Sequence, residues 1–123
     1  MYEVKILTEF SAAHQLREFH GGCENLHGHN WKIEICVRGE QLDKTGLLVD
    51  FRIVKNHTKN ILSNIDHTFL NDFGPFKDLN PSSELIAKYL FDELSKLINS
   101  SSLNVSRVSA WESNSSRASY YKL

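Results

Sequence analysis

His27-Gly28-His29-Asn30-Trp31-Lys32-Ile33-Glu34-Ile35-Cys36-Val37-Arg38 alternates residue by residue. Trp31, Ile33, Ile35 and Val37 share one face, and His27 and His29 are in phase with them. A period of two marks a strand with one buried face. Tyr2 to Phe10 has the same period, with Tyr2, Val4, Ile6 and Phe10 on one side. Continued without a bulge, that side also carries Ala12 and His14. Two long strands therefore each end in histidine, and an antiparallel pairing across the Arg17–Gly28 connection brings those ends together.

The rest of the chain supplies the second layer. Gly39 to Gly46 is a polar loop, and Asp50 is placed to cap a helix running to about Asn64. Ile53, Val54, His57, Ile61, Leu62 and Ile65 form one face of that helix at i, i+3/i+4 spacing. Asp66 to Leu79 is a connection with Gly74-Pro75 as its turn. Asn80-Pro81 reads as the N-cap and first residue of a second helix. Its core stripe is Leu85, Ile86, Tyr89, Leu90, Leu94, Leu97 and Ile98. Strands at Asn104–Glu112 and Arg117–Lys122 complete the order strand, strand, helix, helix, strand, strand (ββααββ). Four antiparallel strands with two helices on one face make a two-layer α+β domain. So small a sheet has open edges, which association with further copies would close.

Size and charge narrow the function. The 123 residues suit one domain, residues 1–123, with 41% hydrophobic and 24% charged residues. A net charge of -1 without a block of like charges argues against nucleic acid and against a basic membrane-surface helix. No apolar run approaches a membrane span, and the N-terminus does not read as a secretory signal, so the cytoplasm is expected, with Cys23 and Cys36 as free thiols.

The chemistry concentrates in Cys23-Glu24-Asn25-Leu26-His27-Gly28-His29, with His14 upstream. Three neutral imidazoles are a ligand set for a catalytic zinc, whose fourth position stays open. Gly28 between two of them lets the backbone bend or approach a metal closely. Cys23 is either a fourth ligand, which would make a closed structural site, or a catalytic thiol whose ordinary pKa must be lowered to make thiolate. Cys36 lies in a strand out of phase with the histidines and reads as a packed thiol. Asp66-His67 places a carboxylate beside an imidazole, an arrangement that can orient the ring for proton transfer. Glu112, in phase with Val108 and Ala110, is costly to bury unless something donates to it, as the amino-amidine edge of an aminopyrimidinone does. His20 and His57 read as loop and packing residues.

Taken together, Phe10-Ser11-Ala12-Ala13-His14, Cys23 to Asn30, Leu48-Val49-Asp50-Phe51, Asp66-His67 with Leu70-Asn71, Leu79 to Glu84 and Trp111-Glu112-Ser113 resemble the 6-pyruvoyltetrahydropterin synthase / 6-carboxytetrahydropterin synthase family. Three residues between the Cys and His-Gly-His resemble its bacterial 6-carboxy branch, in queuosine (7-deazapurine) synthesis; the pyruvoyl enzymes have a longer spacing. The resemblance implies a T-fold (tunnelling fold), with trimers closing a β-barrel, two trimers stacking as a homohexamer, and sites between subunits. It implies 7,8-dihydroneopterin triphosphate as substrate, and 6-carboxy-5,6,7,8-tetrahydropterin, acetaldehyde and triphosphate as products. By the same resemblance, His14, His27 and His29 hold zinc, Cys23 is the base, Asp66 and His67 relay protons, and Glu112 anchors the pterin. Arg17, Arg117 and Lys122 are candidate triphosphate partners that nothing in the sequence ranks. The alternatives are the pyruvoyl synthase, an aldolase-like cleavage of the same side chain, and a non-catalytic zinc module with Cys23 as fourth ligand.

Overall fold

Residues 1–18, 22 and 24–123 are described by a computed structural model. Strands β1 (Tyr2–His14) and β2 (His27–Gly39) pair antiparallel along their whole length, from Tyr2 opposite Gly39 to His14 opposite His27. A one-residue slip would turn every side chain to the other face, so this register is what puts the three histidines on one side. Helix α1 (Phe51–Leu62) starts where Asp50 accepts the Arg52 N–H at 2.9 Å, as expected, and ends at Leu62, just short of Asn64. Helix α2 is Ser83–Ile98, and β4 (Asn104–Ser113) and β5 (Ser116–Tyr120) follow it.

Among the described residues the sheet holds five strands, not four, and with β3 as Thr68–Phe69 their order is β3-β1-β2-β4-β5. The addition, β3 (Thr68–Phe69), pairs parallel with Ala12 and Ala13. Its origin is local. After α1, Thr68 Oγ1 donates to the Ile65 carbonyl at 2.7 Å, and His67 takes a positive φ of 59° that turns the chain back along β1. Two residues are too few for the alternation that marks a strand in sequence. The second helix also starts later than expected. Ser82 is its cap, accepting the Leu85 N–H at 3.2 Å, because the Asn80 side chain is engaged by Arg17.

Both helices cover the same face. Ile6, Phe10, Ile33, Ile35, Val108 and Ala110 from the sheet meet Val54, Ile61, Ile86, Leu90 and Leu94 in one buried cluster. Leu97 and Ile53, expected inside, are 52% and 50% exposed, whereas Ala87 and Phe91 complete the α2 stripe. At the far end of β2, a Cβ on Gly39 would collide with the Ser102 carbonyl and sit 2.8 Å from Leu48, so only glycine lets the loops approach there. No helix among the described residues is long and apolar enough to cross a membrane.

Candidate active site

The core face of β1 and β2 changes character over its last residues. Phe10 stacks on Trp31 with ring centroids 5.3 Å apart and planes at 12°. One alternation further along β2, and two along β1 past Ala12, that face carries imidazoles. The His14 and His29 rings stand edge-on to Trp31 at 4.9 and 5.1 Å. The three histidines lie 5.1 to 5.4 Å from one another, centroid to centroid, and each offers a ring nitrogen within 4.8 Å of the other two. The arrangement can hold a metal ion.

Hydrogen-bond accounting supports that fit. His14 is 2% exposed, and its Nδ1 lies 2.8 Å from the Pro81 carbonyl. A carbonyl only accepts, so Nδ1 carries a proton, and in the neutral ring Nε2 is then a lone pair. Nε2 of His14 and Nε2 of His29 are both buried with no hydrogen-bond partner among the described residues. The Glu112 Oε1 atom is 3.3 Å from the first and 3.1 Å from the second. An unprotonated imidazole nitrogen facing a carboxylate needs a positive species near both. Burial lowers the His29 pKa below its ordinary value, against the pull of Glu112, and His14 and His27 lower it further if charged. The neutral imidazole this favours is the form that binds metal.

Glu112 thus stands against two of the histidines, not at a solvent-facing strand end. Glu24 was missed by sequence reading, although it sits inside the decisive stretch. Its Oε1 lies 3.1 Å from His27 Nε2 and also accepts the Leu16 N–H at 3.1 Å. A glutamate in a polar loop carries no sequence signal that would distinguish it from a solvated one. Cys23 and His20 lie outside the described residues.

Asp66 and His67 come together as expected, with Asp66 Oδ1 3.0 Å from His67 Nδ1 and accepting the Ser11 N–H at 2.9 Å. The His67 N–H in turn donates to the Ser11 carbonyl. Positive φ at a non-glycine residue costs on the order of 1–3 kcal/mol, and these bonds to β1 hold it. The result is a histidine whose side chain is 80% exposed. It borders an open cleft of about 500 Å³ lined also by Ser11, Ala13, Gly28, His29 and Asn30. At Gly28 φ is not positive, and a Cβ there would meet the Ala12 carbonyl at 3.8 Å, an ordinary contact.

Arg17 is committed elsewhere. Its guanidinium donates to the Phe76 carbonyl at 2.7 Å and the Leu79 carbonyl at 3.1 Å. Cys36 is buried, as expected of a packed thiol, and burial raises its pKa. His57 lies half-buried on α1.

Residues 3–122 match the model of the 6-pyruvoyl tetrahydropterin synthase family. The chain belongs to this enzyme family. The 6-carboxy-5,6,7,8-tetrahydropterin synthase of Bacillus subtilis is 37% identical over 98 residues, 76% of this chain and 65% of that protein, so the match spans just under two thirds of the relative. The protein of the same name from Aquifex aeolicus is 31% identical over 121 residues, 80% of this chain and 75% of the relative. In structure, Caenorhabditis elegans 6-pyruvoyl tetrahydropterin synthase superposes with a TM-score of 0.87 at 25% identity, covering 99% of this chain and 96% of that one. The fold is therefore the one the sequence motifs imply.

Proposed function

We propose that residues 1–123 act as one T-fold domain, a zinc-dependent 6-carboxy-5,6,7,8-tetrahydropterin synthase of queuosine (7-deazapurine) synthesis in the cytoplasm. Its substrate is 7,8-dihydroneopterin triphosphate, and its products are 6-carboxy-5,6,7,8-tetrahydropterin, acetaldehyde and triphosphate. The observation that carries the reading is the trio His14, His27 and His29, with two buried imidazole nitrogens that have no hydrogen-bond partner among the described residues. The names of the B. subtilis and A. aeolicus relatives support the carboxy branch, as does the Cys23 to His27 spacing.

His14, His27 and His29 would hold the zinc. Bound there, zinc supplies a Lewis acid for the side-chain hydroxyl oxygens, making the adjacent C–H and O–H protons more acidic. Cys23 takes a proton as thiolate, four residues from His27. The Asp66 carboxylate orients the His67 ring through Nδ1 and leaves Nε2 free to carry a proton at the open cleft. Glu112 grips the amino and ring N–H groups of the pterin, and its place beside His14 and His29 sets the substrate's side chain at the histidines. Further copies are not needed to form the histidine trio, but pairing the β5 edge with the Tyr2–Ser11 edge of β1 between copies would close trimeric barrels, two of which would stack as a hexamer.

Incubation of zinc-loaded protein with 7,8-dihydroneopterin triphosphate, with products identified by mass spectrometry, tests the reading. The expected products are 6-carboxytetrahydropterin and acetaldehyde. A 6-pyruvoyl product would transfer the chain to the pyruvoyl branch, and no consumption with zinc retained would favour a closed structural site. Cys23→Ala is expected to keep zinc and lose turnover by about 100-fold or more; release of zinc would make Cys23 the fourth ligand instead.

A further inference from the structure

Beyond His14 the chain leaves the sheet, yet Gln15 to Arg17 is held as a strand would be. Asn71 Oδ1 accepts the Gln15 N–H at 2.9 Å, and Asn71 Nδ2 donates to the Gln15 carbonyl at 2.7 Å. Asn80 repeats the pattern two residues on, accepting the Arg17 N–H at 2.8 Å and donating to the Arg17 carbonyl at 3.0 Å. Each side-chain amide does for one residue what a facing strand does with its backbone. Leu16, between them, turns its N–H and carbonyl the other way, to the Glu24 carboxylate and the Glu24 N–H.

Both amides converge on His14. Gln15 adjoins it in sequence, and Asn80 adjoins Pro81, whose carbonyl receives the His14 Nδ1–H. Asn71 is itself 9% exposed. Burying an amide merely to fill space is costly, since an apolar side chain fills it without polar groups to satisfy. What a bidentate amide adds is register: it fixes which backbone residue stands opposite, and a slip of one residue here would turn the His14 ring away from His27 and His29.

We propose that Asn71 and Asn80 are positioning residues for the histidine site, fixing the His14 imidazole through the Gln15–Arg17 backbone and the Pro81 carbonyl. The proposal rests on the metal-site reading above. Neither asparagine touches the metal position; both act through His14.

The test is Co2+ titration of the full chain, reading the dissociation constant and the visible absorption bands, with melting temperature measured alongside. Asn71→Leu and Asn80→Leu remove both bonds of each amide; Asn71→Asp and Asn80→Asp keep the acceptor and lose the donor. Asn99→Leu is the control, because Asn99 makes a comparable bond, accepting the Val105 N–H at 2.7 Å, at the opposite end of the sheet. Each Asn71 and Asn80 variant is expected to weaken Co2+ binding about 10–100-fold, in the range of outer-shell substitutions, with altered visible bands. Asn99→Leu is expected to melt lower while keeping the parental affinity and spectrum. If a leucine variant fails to fold, the aspartate variant carries the comparison. Folded Asn71 and Asn80 variants with parental affinity and spectrum would overturn the proposal. A parent protein that takes up no Co2+ would overturn the metal-site reading, and the proposal with it.

Discussion

Phe10 with Trp31, and His14 with His27 and His29, occupy adjoining stretches of one face of the same two strands, with Ala12 between Phe10 and His14. Their rings pack at nearly equal distances, 5.3 Å for the first pair and 5.1 to 5.4 Å among the histidines. Packing therefore does not distinguish them; polar accounting does. The carbon rings of the first pair ask for little beyond exclusion from water, although the Trp31 N–H is itself buried without a partner among the described residues. The second group turns ring nitrogens toward one another and toward the Glu112 carboxylate. A sheet face can thus pass from core to site without changing its geometry, by changing only what its rings carry at their edges.

Substitutions at the two ends should consequently separate stability from metal binding. The largest effect is expected from His29→Ala, which removes a ligand: zinc affinity, measured by competition with a chelating dye, should fall by more than about 100-fold, beyond the range of outer-shell changes. Its melting temperature without metal should stay near that of the parent, because the unpaired Nε2 goes with the ring. Trp31→Ala should cost about 3–5 kcal/mol in urea unfolding, as loss of a buried aromatic does. It should weaken zinc binding as well, since both His14 and His29 rest on that ring. An unchanged zinc affinity in Trp31→Ala would mean the core and the site are independent.

Ile35→Val, two alternations further from the histidines, sharpens the contrast. It should cost about 1 kcal/mol and leave zinc affinity as it was. The smallest effect is a pH dependence on the other face of β2. Burial raises the Cys36 pKa above its ordinary 9.0, so the folded chain holds that proton more tightly than the unfolded chain. The stability this contributes is fully present below pH 9.0 and is lost as pH rises through the folded-state value. Urea midpoints measured below and above pH 9.0 should fall more for the parent than for Cys36→Ala.

The strands and the histidine trio were legible because alternation is a signal carried by every second residue. From Tyr2 to His14 and from His27 to Arg38, the apolar pattern alone places three imidazoles on one face. Asp50 was legible as a cap for a similar reason: its side chain bonds within two residues of itself. What was not legible depends on partners far away in sequence. Asn80 looked like a helix cap and is instead bonded to Arg17, 63 residues distant, leaving the cap to Ser82. β3 exists because His67 turns the chain back onto Ala12 and Ala13, and Arg17 closes on backbone carbonyls that no motif marks. Glu24 was hidden by its setting, since only the fold reveals that its carboxylate reaches Leu16 and His27 together.

The most direct test of the account is an anomalous-difference map collected at the zinc absorption edge from crystals of the zinc-loaded protein. One peak enclosed by the imidazoles of His14, His27 and His29 is expected, with a coordination position open toward solvent or substrate. A zinc-loaded crystal with no peak between those three rings, or with its zinc elsewhere, would contradict it.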